Sequence, residues 1–217
     1  KHERLYVTHL FGFPVAGMVE AQDNSREGRI SVIDPVQMQK IDEIVLVANE
    51  HGLPSLMASI AVRAGRAWLP HVRASPALPN GTTSTVFAAL ATLDLTQNVE
   101  LPSAALHLND REVFGSPVNN PAAVAPSLDG NRLYIIHGGS DLLEVVDIAT
   151  AEAPRLVKFL ATGKNPRGIV LSADGRRAFV MNYLSRSVSL YDLETLTLIA
   201  EINVTAETLA PAVLAGK

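Results

Sequence analysis

The last third of the chain repeats itself with a period of 45 residues, from position 121 to 166 and from 147 to 192. Four landmarks of one unit return in the next, so that Pro121, Tyr134, His137 and Asp147 become Pro166, Phe179, Asn182 and Asp192. A period of about 40–50 residues is typical of β-propeller blades, which are four-stranded units that bury both faces only against neighbouring blades. The chain is therefore predicted to be an array of blades.

Short β-branched and aromatic runs separated by turn residues predict four strands in the last unit, at 168–171, 177–181, 187–191 and 198–202. The pairs Asp129-Gly130 and Asp174-Gly175 fall between the first two strands, where a hairpin needs a glycine with positive φ. Four aspartates end the third strands, and we expect each to accept backbone N–H groups of the following turn: Asp34, Asp94, Asp147 and Asp192. Trp68, Tyr134 and Phe179 share one strand position and are predicted to pack between blades.

The predicted fold is all-β, a β-propeller of four-stranded antiparallel blades. About four blades are visible, as part of a larger, seven-bladed propeller. The blades span 1–205, divided into 1–51, 52–120, 121–162 and 163–205, and residues 206–217 begin a linker or a further domain. The first blade lacks its innermost strand, and the second carries insertions. An open array exposes apolar faces and strand edges, so we expect an adjacent domain or subunit to complete the ring and the isolated segment to self-associate.

Several segments resemble the YVTN family of β-propeller repeats: Leu5-Tyr6-Val7-Thr8-His9, Ser31-Val32-Ile33-Asp34, Asn165-Pro166-Arg167-Gly168, and residues 171–182. The resemblance implies the fold and a location in the bacterial envelope, either periplasmic or extracellular. Residues 209–217 resemble the point where some bacterial YVTN propellers continue into a cytochrome c or di-haem peroxidase-like domain. That similarity implies haem c in an adjacent domain and a cytochrome c-like partner.

Composition excludes several functions for these residues. The 217 residues contain no cysteine, which excludes disulfides, thiol catalysis and covalent c-type haem within them. The net charge of −4 shows no basic surplus that would favour nucleic acid. The sequence contains no run of about 18 apolar residues, so it predicts no transmembrane helix.

The irregular insertions are predicted to lie on one rim of the propeller. From His9 to Asp34 is 25 positions and from His71 to Asp94 is 23, against 10 in each of the last two blades. Long loops grouped on one face of a rigid scaffold are where binding is expected. Partner binding is therefore assigned to Phe11 and Phe13 of the first insertion, and to Arg167 near the channel mouth.

His9, His71 and His137 occupy the same repeat position in three successive blades, where the last blade has Asn182. One hypothesis is a metal or redox site, because neutral imidazole is a common metal ligand. Neighbouring positions should lie about 9–10 Å apart, so two of the three histidines can share a metal more readily than all three. The alternative is a structural hydrogen bond, in which case His71→Asn should be nearly silent.

The main functional hypothesis is a non-catalytic scaffold or interaction module that docks an electron-transfer partner. No phosphate loop, zinc motif, nucleophile elbow or paired-carboxylate signature appears, and catalytic residues remain unassigned. The alternative is a lactonase-like or metal-dependent enzyme with its site at the insertion-bearing rim. Four loop carboxylates are candidates for that chemistry: Glu20, Asp23, Asp110 and Glu112.

Overall fold

The computed structural model describes residues 3–19, 25–49, 52–74, 86–110, 117–150, 154–206, 208 and 210–214. Strands make up nearly all of its regular structure. The four-stranded antiparallel propeller architecture predicted from the repeat is confirmed.

Blades 3 and 4 are regular meanders in which each strand pairs with the next. Blade 3 consists of β12 (Pro121–Pro126), β13 (Arg132–His137), β14 (Leu142–Asp147) and β15 (Arg155–Ala161). Blade 4 consists of β16 (Pro166–Leu171), β17 (Arg177–Asn182), β18 (Ser187–Asp192) and β19 (Thr197–Asn203). All four strands predicted for blade 4 are therefore present, each extended by one or two residues.

Blade 1 has three paired strands, in the order β1 (Leu5–Thr8), β4 (Arg29–Asp34) and β5 (Gln39–Val45). The first insertion leaves this sheet as a short ladder between β2 (Phe13–Pro14) and β3 (Arg26–Glu27). Within the described residues β1 is an edge strand of this sheet.

Blade 2 has long central strands, β8 (Arg66–Ala74) and β9 (Val86–Asp94), while its inner and outer strands are each broken in two. On the inner side, β6 (Leu53–Ser55) and β7 (Ala61–Arg63) pair with opposite ends of β8, and Leu56, with φ of 56°, lies between them. On the outer side, β10 (Val99–Glu100) and β11 (Leu106–His107) pair with β9 on either side of a 3₁₀ turn, Pro102–Ala104. This break opens space at the outer edge of the blade.

Apolar clusters fill the spaces between successive blades, which is how a propeller blade buries its faces. Trp68 packs with Leu133 and Ile135 between blades 2 and 3. Tyr134 packs with Val180 between blades 3 and 4. Phe179, at the equivalent position of blade 4, lies on that blade's outer face.

The predicted turn chemistry is confirmed at all four third-strand aspartates. Each carboxylate accepts a backbone N–H from two residues further on, with N to Oδ1 distances of 2.8 Å at Asp34, 2.7 Å at Asp94, 3.0 Å at Asp147 and 3.0 Å at Asp192. Gly130 and Gly175 have φ values of 76° and 69°, as their hairpins require. The aspartates are therefore structural.

The outer face of blade 4 exposes a row of apolar side chains that includes Val170, Met181 and Ile202, at 61%, 45% and 50% exposure. No described residue covers this row. After it comes one short helix, α1 (Pro211–Leu214). No helix in the described ranges is long and apolar enough to span a membrane.

Candidate functional site

The shared histidine position bonds across to the third strand in blades 1 and 3. His9 Nε2 lies 2.9 Å from Ser31 Oγ. His137 Nε2 lies 2.7 Å from Glu144 Oε2, and both side chains are fully buried. The two histidines are thus already engaged within their own blades.

Blade 4 makes the same connection with uncharged groups, because Asn182 Nδ2 donates to Ser189 Oγ over 2.8 Å. Ser31, Glu144 and Ser189 are equivalent, each lying three residues before the aspartate of its third strand. In blade 2 this position is Ala91, which offers no side-chain acceptor. Blade 2 therefore departs from the repeat where the other three blades agree.

His71 finds other partners. Its Nδ1 donates to the carbonyl of Leu69 over 3.0 Å, and its Nε2 accepts from Nε of Arg73 over 3.1 Å. Burial, assisted by the positive charge of Arg73, lowers the His71 pKa from 6.5 to about 3. The imidazole is neutral near pH 7, and its lone pair is directed at Arg73.

The structure does not gather His9, His71 and His137 into one cluster. Among the described residues, no group of three or more His, Asp or Glu side chains is arranged to hold a metal ion. A metal at His71 would have to displace Arg73 from Nε2. The metal assignment of these three histidines stays a prediction.

Arg73 and Glu100 form a buried charge pair that the sequence did not suggest. Nη2 of Arg73 lies 3.4 Å from Oε1 of Glu100, with the two side chains only 4% and 2% exposed. Nη1 of Arg73 also donates to the carbonyls of Val47 and Gly52, at 3.0 and 2.9 Å. Burial raises the Glu100 pKa, while the Val47 N–H and the charge of Arg73 act in the opposite direction. A buried pair is costly unless its hydrogen bonds are satisfied, and here most are.

A pocket of about 180 Å³ opens beside this pair. Arg73 and Phe87 flank the second insertion, so the pocket lies on the insertion-bearing rim. The rings of Phe87 and His107 lie 4.5 Å apart at 57°, and Asn49 completes the polar part of the wall. We refer to this cavity as the Arg73 pocket. It places a fixed cation, an imidazole and an amide around a small volume.

A larger groove of about 500 Å³ lies on the opposite rim, between blades 3 and 4. Its carboxylates include Asp129 and Asp174, which cap their own hairpins. Hydrogen bonds from Ser127 and Ser172, respectively, are the main reason that their pKa values lie below the usual range. Asp129 and Asp174 occupy the same turn position in successive blades and serve the turns. The Arg73–Glu100 pair of blade 2 is buried and does not recur in the other blades that the structure describes. Charged groups with perturbed pKa values near a cleft favour a functional site. The Arg73 pocket is therefore the candidate functional site.

The residues predicted to bind a partner differ in exposure. Phe11 is 62% exposed. Phe13 is partly buried, with its ring 4.6 Å from that of His9 and 5.2 Å from the guanidinium carbon of Arg29. Arg167 is exposed, and its Nε donates to Asn165 Oδ1 over 2.6 Å. Of the loop carboxylates, Asp110 is described, while Glu20, Asp23 and Glu112 lie outside the described residues.

Sequence reasoning missed the combination of Arg73, Glu100 and His107. The sequence contained only two departures from the repeat as evidence. Ala91 replaces the polar residue of the third strand, and His107 lies outside the repeat pattern. A departure from the repeat in one blade indicates where that blade has acquired a separate role.

These features define a β-propeller with a polar pocket on its insertion-bearing rim. The chain belongs to the family of lactonases with a seven-bladed β-propeller, whose model matches residues 82–209. No match was found among curated protein sequences.

Three solved structures illustrate the similarity of fold. Hydrazine synthase of Kuenenia stuttgartiensis superposes with a TM-score of 0.67 at 16% identity, over 87% of this chain and 55% of that one. The periplasmic gluconolactonase PpgL of Pseudomonas aeruginosa gives 0.61 at 20% identity, over 95% and 56%. A protein of Bacteroides uniformis described as a candidate 6-phosphogluconolactonase gives 0.60 at 14%, over 95% and 55%. The chain spans about 55% of the length of these structures.

Proposed function

We propose that the protein hydrolyses a lactone and that the Arg73 pocket is its site. The observation that carries the proposal is a rim pocket lined by His107 and by Arg73, which is paired with the buried Glu100, in a chain of the lactonase propeller family. Gluconolactonase and candidate 6-phosphogluconolactonase structures share the fold and support a sugar lactone as substrate. This favours the enzyme alternative over the non-catalytic scaffold that the sequence first suggested.

Each polar group of the pocket has a role in this reaction. His107 accepts a proton from water as the water oxygen attacks the lactone carbonyl carbon. Arg73 stabilises the negative charge that develops on the carbonyl oxygen. The ring C–O bond then breaks, and the leaving alkoxide takes the proton back from His107, so lactone and water become one hydroxy acid. Glu100 holds Arg73 in place and is a positioning residue.

The experiment measures proton release from glucono-1,5-lactone by the full-length protein, after subtraction of spontaneous hydrolysis. We expect His107→Gln and Arg73→Met each to lower kcat/KM by about 100-fold, the scale of losing one acid–base group or one oxyanion donor. Arg176→Met on the opposite rim is the matched control and should keep the parent rate. Parent-like activity in folded His107→Gln would contradict the proposal.

A metal-dependent form of this chemistry would use the histidines of the shared repeat position. In that case Nε2 of His71 would have to bind the metal in place of its hydrogen bond from Arg73. Elemental analysis of the purified full-length protein tests this: stoichiometric metal that disappears in His71→Ala supports it, and metal-free active protein opposes it.

The scaffold function is kept as a second candidate because the first insertion exposes apolar side chains, including Leu10 at 43% and Phe11 at 62%. Its partner would be a cytochrome c-like domain carrying haem c, in the periplasm or outside the cell. The periplasmic gluconolactonase among the structural neighbours supports the envelope location. Co-purification of a haem protein that is lost in Phe11→Ser would support docking, and absence of any haem protein from the native complex would oppose it.

A further inference from the structure

We propose that the Arg73 pocket selects an uncharged monosaccharide lactone over its phosphorylated form. The inference rests on the proposed function and concerns the charge that the same pocket can accept. The similar structures include a gluconolactonase and a candidate 6-phosphogluconolactonase, so the distinction has to come from the pocket wall.

The positive charge of the pocket is already offset in large part. Arg73 faces the carboxylate of Glu100 at 3.4 Å. His71, behind Arg73, is held neutral by burial. The other described lining residues are neutral side chains together with His107. Glu100 thus offsets the charge of Arg73, the one Lys or Arg among the described lining residues, and leaves little to balance a phosphate dianion.

The guanidinium of Arg73 is also not oriented for phosphate. Phosphate binding by arginine uses parallel N–H donors in a fork. In Arg73, Nε donates to His71, and Nη1 donates to the carbonyls of Val47 and Gly52. A phosphate would have to displace these bonds and would bring its charge close to Glu100 in a poorly solvated place, where repulsion is strong.

The pocket is also small. A volume of about 180 Å³ equals the share of roughly six water molecules in the liquid. Ligand pockets for drug-sized molecules begin at about 300 Å³. The Arg73 pocket thus suits one small ring, with apolar contacts from Ala89, Leu90 and Pro102 and a few polar contacts from the opposite wall.

The full-length protein is assayed with glucono-1,5-lactone and with its 6-phosphate. We expect kcat/KM to favour the uncharged lactone by at least about tenfold. Equal rates or a preference for the phosphorylated lactone would overturn the inference while leaving lactone hydrolysis intact. If neither lactone is hydrolysed, the proposed function fails, and selectivity is then decided by binding of the stable ring analogues glucose and glucose 6-phosphate.

In that binding measurement, preference for glucose supports the inference. Preference for glucose 6-phosphate, or no binding of either sugar, overturns it. A general loss of binding by a damaged pocket would not reverse the order of the two sugars, so the order is the informative readout.

A pair of charge variants at one exposed position tests the cause. Asn49 lines the pocket and is exposed to solvent, so a charge placed there faces the ligand. Asn49→Lys should shift the ratio of the two ligands toward the phosphorylated form by about tenfold, and Asn49→Asp should shift it the other way. Glu194→Lys on the opposite rim should leave the ratio unchanged. Identical ratios in both Asn49 variants would overturn the electrostatic argument.

Discussion

The side chains of His137 and Glu144 meet inside blade 3 at a distance of 2.7 Å, and neither is exposed to solvent. Blade 4 fills the same two positions with Asn182 and Ser189, which are uncharged. Nδ1 of His137 and Oε1 of Glu144 have no hydrogen-bond partner within the described residues. Blade 3 therefore has a titratable pair at the two positions where blade 4 has an amide and a hydroxyl.

We predict that His137→Asn alone destabilises the protein by about 3–5 kcal/mol, because it leaves a buried carboxylate without its partner. The double variant His137→Asn, Glu144→Ser carries the residues of blade 4 at both positions and should recover most of this loss of stability. Denaturant unfolding of the parent, both single variants and the double variant forms a double-mutant cycle. Additive effects would show that the two residues do not act as a pair.

His9 and His71 should respond differently to replacement by asparagine. His9→Asn retains Ser31 as a partner, as Asn182 retains Ser189, and should cost less than about 1 kcal/mol. His71→Asn faces Ala91 and leaves Nε–H of the buried Arg73 without its acceptor, which should cost about 1–3 kcal/mol. Thermal unfolding of the two variants compares them directly. The near-silent His71→Asn expected from the repeat is thus revised, and equal melting temperatures would restore it.

Stability should fall as the pH drops below about 6.5, because His71 is protonated in the unfolded chain but stays neutral in the folded one until its pKa of about 3. The folded state then binds fewer protons, so stability rises with pH across this window. The slope for one such proton is about 1.4 kcal/mol per pH unit. The raised Glu100 pKa acts in the opposite direction near its own titration.

The measurement is the melting temperature of the full-length protein between pH 4 and 7, in the parent, His71→Asn and His9→Asn. The slope should decrease in His71→Asn and persist in His9→Asn. A parent slope retained by His71→Asn would assign the effect to other groups.

Met38 sits in the left-handed region with φ of 54°, at the turn position that Asn98 occupies in blade 2 with φ of 55°. A methionine there is strained by about 1 kcal/mol, and asparagine tolerates this conformation better. Met38→Asn should therefore stabilise the protein by about 0.5–1 kcal/mol. Val36, exposed in the same turn, gives the control Val36→Asn, which should bring no gain. A lower melting temperature for Met38→Asn would contradict the strain argument.

Removing residues 12–27 and closing the gap with a short turn should spare the fold. Loop-length changes cost only fractions of a kcal/mol per doubling. Arg29 loses Glu27 and Phe13 but keeps its bond to Glu43, at 2.6 Å. Partner association, measured by sedimentation of the native complex, should weaken. Unchanged association, together with its loss on changing Asp129-Gly130 without unfolding, would place the interaction on the opposite rim.

The repeat predicted what depends on local order along the chain. Each aspartate at the end of a third strand and each Asp-Gly hairpin follows from its immediate neighbours, and the structure confirms them. The Arg73–Glu100 contact joins residues 27 positions apart, and the pocket beside it is lined by Pro102 at the break in the outer strand of blade 2. No periodic pattern encodes such a break, so the pocket beside it was not predictable. The partner of His71 was missed for a related reason, because the choice between cross-strand and same-strand bonding depends on Ala91.

The apolar row on the outer face of blade 4 has a consequence for biosynthesis. While blade 4 is the newest blade to leave the ribosome, Val170, Met181 and Ile202 face solvent, just as the equivalent face of blade 3 did until blade 4 covered it. The exposed apolar surface thus moves from blade to blade along the nascent chain as synthesis proceeds. If translation pauses after a blade, the nascent chain exposes the apolar face of that blade. A chaperone that binds such a chain would therefore recognise the blade synthesised last.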